Sequence, residues 1–333
     1  MKVLVTGATG FVGQHLCKML CDNSYNVRIL ARASSNTEYL ETLGVEVVSG
    51  DIRNKDSVEE AVEGCQHVYH LAAVTSSAAK TLSYSASRKL IHSINVGGTE
   101  NIASAASKEK VERFVYGSSA GVYGIIDDPP ADERTSTYPN TAYRQSKLMG
   151  EKIILGYHVN RGLPAVIVRL SSVVGAGSLI YLGICKAIVS GHFRLIGKGN
   201  FCLHGVHVLD AVAALVKCSA TPGIEGNCYV IAGHQPVKLN DCTNAIARQL
   251  GVTLSERRSP ELPFRLFVTF SKIVNRYSGI ELPLSHRYEM FVTSRILDIS
   301  KAQKELNYLP SKSFEQGLMD ATDWYKQRGL IKC

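Results

Sequence analysis

The first thirteen residues constrain this chain more than any other stretch. Lys2 to Thr6 has the character of a short buried strand, and Gly7-Ala8-Thr9-Gly10-Phe11-Val12-Gly13 turns it directly into a helix with Leu16, Met19 and Leu20 on its inner side. Gly7 permits the tight turn, Gly10 lets the backbone approach a bound group with no Cβ between, and Gly13 lets the helix press on the strand. The start of such a helix presents free N–H groups and a positive dipole end, which suits a pyrophosphate. A Gly-x-x-Gly-x-x-Gly triplet alone is weak evidence. Its weight depends on the rest of the chain.

Strand-like apolar runs come next at Val27 to Ala31, Val45 to Gly50, His67 to Ala73, Arg113 to Gly117 and Pro164 to Leu170. Amphipathic stretches lie between them, among them Val58 to Val62, Ile91 to Ala106 and Ala142 to Tyr157. Strands that are apolar throughout, alternating with helices, predict a parallel sheet covered on both faces, a doubly wound α/β fold. After Gly175 the rhythm loosens. Helices are expected at Leu179 to Ser190, Asp210 to Cys218, Leu239 to Leu250, Ser300 to Leu306 and Phe314 to Gln327, with strands near Phe201 to Val208 and at Cys228 to Ile231. The expected division is a nucleotide-binding domain over 1–175 and a smaller, mainly substrate-binding lobe over 176–333, interleaved with it.

Composition narrows the partners. The formal charge is +8, but Lys and Arg are scattered with no run of four basic residues, so no nucleic-acid partner is expected and an anionic cofactor suffices. Nine cysteines at irregular spacing, with no Cys-x-x-Cys, fit a reducing cytosol rather than disulfides or zinc. His204 and His207 are three apart in a strand-like run and point to opposite faces, so no metal is expected. A strand entered at residue 2 leaves no room for a signal peptide, and no apolar stretch approaches a membrane span. The expectation is a cytoplasmic protein with no integral membrane segment.

The end of the second strand favours one cofactor. Where an acidic residue would accept from an adenosine ribose, the chain has Ala31-Arg32. A carboxylate repels a 2′-phosphate and a guanidinium binds it in bidentate fashion, so NADP(H) is preferred, with NAD(H) possible. Asp51 and Ile52 are placed to bracket adenine, and Leu71, Ala72 and Ala73 leave room for the cofactor. His70 before them reads as a hydrogen-bonded core histidine.

The chemistry concentrates in two segments. Ser118-Ser119-Ala120-Gly121-Val122-Tyr123-Gly124 closes the fifth strand, and Tyr143-Arg144-Gln145-Ser146-Lys147 lies in a helical pattern some way on. Four residues of separation put Tyr143 and Lys147 on one helix face, where the ammonium is expected to lower the phenol's pKa toward neutrality. Tyr143 would then exchange a proton with a substrate hydroxyl or ketone, with Ser119 on the same oxygen.

With these motifs the chain resembles the extended short-chain dehydrogenases/reductases, the NAD-dependent epimerase, dehydratase and reductase superfamily, over nearly its whole length. Asn95-Val96-Gly97-Gly98-Thr99, Arg169 to Gly175 and Ser300-Lys301-Ala302 to Trp324 add to the match. The resemblance implies a Rossmann-type fold, Ser119, Tyr143 and Lys147 as catalytic residues, and Lys147 also on the nicotinamide ribose. It implies a cofactor loop of Gly7, Thr9, Gly10, Phe11, Val12 and Gly13, and substrate contacts from Ser119, Ala120, Tyr143 and Ser172. Asn95 matches an asparagine behind the site, either functional or a structural hydrogen bond. Homodimers through Ile91 to Ala106 and Ala142 to Tyr157 are also implied.

Ala120-Gly121 stands where dehydratases carry an Asp-Glu pair, which disfavours water elimination. Two readings remain. One is a ketone reductase or alcohol dehydrogenase like the 3β-hydroxysteroid dehydrogenase and dihydroflavonol reductase branch, acting by hydride transfer on a small non-nucleotide substrate. The other is a nucleotide-sugar epimerase with tightly bound NAD. The first is favoured by Arg32, by Ser172 in place of the diphosphate-holding Asn in the frame Arg169, Ser172, Gly175, and by Leu203 where such enzymes place an Arg. Leu262 to Tyr277 carries Leu266, Phe270, Ile273, Val274 and Tyr277 at helical spacing, a face that roofs an apolar substrate or belongs to an ordinary core helix.

Overall fold

The computed structural model describes residues 1–75, 82–255, 257–278, 281–282 and 285–331, with 285–287 as backbone only. Its first half runs β1 (Lys2–Thr6), α1 (Phe11–Asp22), β2 (Asn26–Ala31), α2 (Glu38–Glu41), β3 (Glu46–Ser49), α3 (Lys55–Val62), β4 (His67–His70), α4 (Tyr84–His92), α5 (Gly98–Glu109), β5 (Arg113–Ser119), α6 (Ala142–Arg161) and β6 (Ala165–Leu170). The second half adds β7 (Ser172–Val174), α7 (Leu182–Val189), β8 (Cys202–Leu203), β9 (Gly205–His207), α8 (Val208–Ala220), β10 (Cys228–Ile231), β11 (Val237–Lys238), α9 (Leu239–Leu250), α10 (Glu261–Ser278), α11 (Ser285–Val292), α12 (Ser300–Leu306) and α13 (Phe314–Gln327).

Seven parallel strands form one sheet in the order β3-β2-β1-β4-β5-β6-β10. Successive strand residues point to opposite faces, and the two faces bury different sets. Val3, Val5, Ile29 and Val168 pack with Leu16 and Leu20 of α1 and Val212 and Leu215 of α8. Leu4, Val68, Phe114 and Ile167 pack on the other side with Val58 of α3, Ile102 of α5 and Ile154 of α6. This is the doubly wound fold, completed by α8 and β10 from beyond residue 175. A third cluster, including Cys185, Leu239, Ile246, Phe314 and Leu318, holds α7, α9 and α13 together in the second half.

The strand order reverses between β1 and β4, and such a switch point opens a crevice at the carboxyl ends of the strands. That explains why β4 stops at His70 rather than running to Ala73. Its last pairing is Thr6↔His70, and beyond Thr6 the neighbouring chain has already turned away at Gly7.

Two other expectations change. The helix expected over Ile91 to Ala106 is unbroken but not regular, since α4 passes through a wide π turn at Ser93–Gly97 into α5. At that turn the Asn95 side chain is drawn to Val74, and the Thr99 hydroxyl bonds back to the Asn95 carbonyl at 2.6 Å. The strand expected near Phe201 to Val208 is two short strands in different sheets, β8 with β11 and β9 with β7. They part at His204, whose ring bonds the Gly233 carbonyl and accepts from the Leu297 N–H.

Candidate active site

The glycine turn works through close approach. Gly7 has φ of +74°, and a Cβ there would lie 2.6 Å from the Ala72 backbone nitrogen; at Gly13 it would lie 2.2 Å from the Gly7 carbonyl oxygen. Gly10 caps α1 with no side-chain hydrogen bond, and the first turn holds no acid, so the positive end of the helix faces the crevice uncompensated. Gly13 serves packing, whereas Gly7, Thr9 and Gly10 line a cavity of about 220 Å³ with Ala31, Arg32, Asp51, Ile52, Leu71, Ala72 and Ala73. Asp51 is engaged by Arg53 through two side-chain bonds of 2.9 and 2.7 Å, which hold its pKa below the usual value. Ser35 also reaches this cavity, on a turn closed by its own N–H and the Arg32 carbonyl, a contact not read from the sequence.

Leu71 and Ala73 also line a second cavity of about 450 Å³, which holds Phe11, Val12, Ser119, Ala120, Tyr143, Lys147 and Ser172. The two cavities thus meet along one wall. Ser119 ends β5, and its hydroxyl accepts from the Gly121 N–H at 3.1 Å. Tyr143 and Lys147 stand on the first turns of α6, whose start is fixed by the Thr141 hydroxyl accepting from the Arg144 N–H. The Tyr143 phenol lies close enough to Ser119 for the hydroxyl to act on its pKa.

The electrostatics differ from the expectation. Burial raises the Tyr143 pKa above 10.0, opposed by Arg144 and by the nearby Ser119 hydroxyl, and Lys147 is not among the causes. Lys147 itself is buried, stacks on the Tyr116 ring at 4.2 Å, and is pushed down to about 7 by loss of water. The phenol is therefore protonated at neutral pH, and the lysine is the group that titrates there.

Asn95 does not line either cavity. Its amide accepts from the Val74 N–H at 2.7 Å and donates to the Val74 carbonyl and the Ser146 hydroxyl, so it ties the segment after β4 to α6 one residue before Lys147. His70 is fully buried between Thr6 and Thr99, with its pKa lowered to about 3 by burial. Behind the site, Arg169 makes a two-pronged pair with Glu151 at 3.0 and 2.8 Å, and Glu151 also accepts from Ser118.

The residues from Val3 to Ala232, which include the glycine turn, Ser119, Tyr143 and Lys147, match the pattern of the NAD dependent epimerase/dehydratase family. The chain belongs to that family. A 3beta-hydroxysteroid-dehydrogenase/decarboxylase isoform of Arabidopsis thaliana is 30% identical over 358 residues, covering 96% of this chain and 78% of its own. A 3-beta-hydroxysteroid dehydrogenase of Mycolicibacterium neoaurum is 28% identical over 336 residues, covering 97% and 91%. The fold is shared with a UDP-glucuronic acid 4-epimerase of Bacillus cereus solved in complex with NAD, at a TM-score of 0.79 and 24% identity, covering 98% and 99%.

In this epimerase/dehydratase chain the larger cavity also holds two guanidiniums that sequence reasoning missed. Arg295 enters from the segment before α12, and Arg144 follows Tyr143. Both face Glu289, Arg144 at 2.8 Å and Arg295 at 3.4 Å, and burial beside Arg144 lowers the Arg295 pKa to about 10. No local signal marks Arg295 or Glu289, because only the tertiary fold brings α11 and the residues after it to α6. Leu203 is buried in the second-half cluster and lines neither cavity. The apolar face expected to roof the substrate points the other way: Leu266, Phe270, Ile273 and Tyr277 are exposed, and α10 packs inward through Phe264, Phe267 and Val268.

Proposed function

We propose that this family member interconverts a ketone and a secondary alcohol on a small substrate without a nucleotide, using NADP(H) in preference to NAD(H). The observation that carries the proposal is one cavity lined by Ser119, Tyr143 and Lys147, with the Ser119 hydroxyl near the Tyr143 phenol. The crevice fits a dinucleotide: an uncapped helix start at Gly10, a first cavity with Arg32 and Ser35 where a 2′-phosphate would bind, and a second one reaching Lys147. When bound, the nicotinamide supplies or accepts a hydride. The chain's own residues handle the oxygen and the proton. Ser119 and Tyr143 hold the carbonyl oxygen, and Tyr143, protonated at neutral pH, donates to it in the direction of reduction. Lys147, one turn further on the same helix face and titrating near 7, is assigned to resupply that proton as well as to hold the ribose. Asn95 positions this helix through Ser146.

In this reading residues 1–175 hold mainly the cofactor and 176–333 shape the substrate side. The protein acts in the cytoplasm as a homodimer through the helical stretches Ile91 to Ala106 and Ala142 to Tyr157. A second reading, the nucleotide-sugar epimerase with bound NAD, is favoured by one observation, the Arg144 and Arg295 guanidiniums in the cavity. Against it stand the buried Leu203 and the Glu289 carboxylate already shared by both arginines. The deciding experiment follows NADPH oxidation against steroid-like, aromatic and sugar ketones, with calorimetry of UDP, GDP and dTDP in parallel. Turnover of a non-nucleotide ketone supports the first reading. Micromolar binding of a nucleoside diphosphate without such turnover supports the second.

A further inference from the structure

Helix α10 is apolar on two sides. Phe264, Phe267 and Val268 face a small cluster with Ile196 and Val292, while Leu262, Leu266, Phe270, Ile273 and Tyr277 are between 50% and 85% exposed. At about 100° per residue these five fall within an arc of about 80°. Arg265, Lys272 and Arg276 fall together along one border of that arc, within about 40° of each other. Isolated exposed apolar residues are ordinary, but a contiguous stripe of this kind marks an interaction surface.

Charge selects the occupant. From Arg257 to Ser278 the chain has five cations and one carboxylate, Glu261, and the excess persists when Asp127, bound to Lys272 at 2.6 Å, is counted. The Arg265–Glu261 contact is long, at 3.4 Å, and open to solvent. A second copy of this chain meeting the stripe about a two-fold axis would set these cations against themselves. An anionic lipid surface complements both features, with apolar side chains entering the acyl boundary and the arginine border meeting headgroups. No helix among the described residues is long and apolar enough to cross a membrane, so α10 would lie on the surface.

We propose that the outer face of α10 docks this protein on anionic membrane surfaces. The helix is joined to the active-site side of the molecule. Asn275 donates to the Asn140 carbonyl at 3.3 Å, and a cavity of about 410 Å³ lies between α10 and the segment through Tyr138 and Asn140 that leads into α6.

The test is flotation of the full chain with vesicles of phosphatidylcholine alone and of phosphatidylcholine mixed with phosphatidylglycerol. The wild type is expected to float with the mixed vesicles and much less with the neutral ones, and to be released by high salt. The double variant Leu266→Ser, Phe270→Ser is expected to lose roughly tenfold or more of that binding, since each side chain contributes burial of that order, with an unchanged melting temperature and NADPH affinity. Arg265→Gln with Arg276→Gln is expected to abolish the preference for the anionic vesicles. Wild type that stays unbound, or a double variant that floats equally well, overturns the proposal. So does light scattering in which the wild type is a dimer that the double variant dissociates, which would make the stripe a self-interface. Flotation requires no turnover, so its failure leaves the oxidoreductase reading intact.

Discussion

Replacing Lys147 by Met is expected to stabilise the protein while damaging its chemistry. Lys147 is 2% exposed, and burial pushes its pKa from 10.5 down to about 7. At ~1.4 kcal/mol per unit, such a shift corresponds to a cost of about 4 kcal/mol for folding at neutral pH. Stacking of the buried ammonium on Tyr116 returns about 2 kcal/mol, so Lys147→Met gains about 2 kcal/mol at pH 7. The sign comes from proton counting. Below pH 7 the lysine is protonated in both folded and unfolded chains, and the cost is constant. Between about 7 and 10.5 the unfolded chain binds more protons, so wild-type stability rises with pH relative to the variant and the gap between them closes. Urea denaturation of both proteins across that window reads the difference directly, because tyrosines and cysteines titrate alike in the two. A variant less stable than wild type at pH 7, or a gap independent of pH, refutes the reasoning.

The geometry sets three further outcomes. Glu151→Gln leaves the Arg169 guanidinium buried without its carboxylate and should cost about 3–5 kcal/mol in denaturant unfolding; a loss below about 1 kcal/mol would contradict the role given to the pair. Gly7→Ala forces a Cβ into the Leu71–Ala72 backbone at positive φ and should lower both the melting temperature and NADPH affinity, so wild-type values in calorimetry would count against the turn geometry. Arg32→Ala should weaken NADPH binding by about ten- to a hundredfold and leave NADH unchanged, and equal effects on both would remove the basis for the cofactor preference.

Legibility in the sequence tracks how local each feature is. The Gly7 turn, the i, i+4 pairing of Tyr143 with Lys147, and strands apolar on both faces are set by neighbours in the chain, and they point to the fold and to the family. The pKa order of Tyr143 and Lys147 was not legible, because proximity along a helix is visible in sequence whereas burial of both groups is a property of the packed molecule. Arg295 reaches the cavity, with Glu289 paired behind it, from about 150 residues beyond Tyr143, and no spacing rule links them. The π turn at Ser93–Gly97 depends on Asn95 finding Val74 across the structure. For α10 the periodicity was visible but not its orientation, since a helix apolar on two sides gives no sign of which one faces the core.

The central claim is that Tyr143 is the proton donor to a substrate oxygen. With a ketone that the wild type reduces, the initial rate of NADPH absorbance loss should fall about a hundredfold or more in Tyr143→Phe, the order expected for removing a positioned general acid, while NADPH affinity and the melting temperature hold. A Tyr143→Phe protein that folds, binds NADPH and turns over near the wild-type rate would contradict the account.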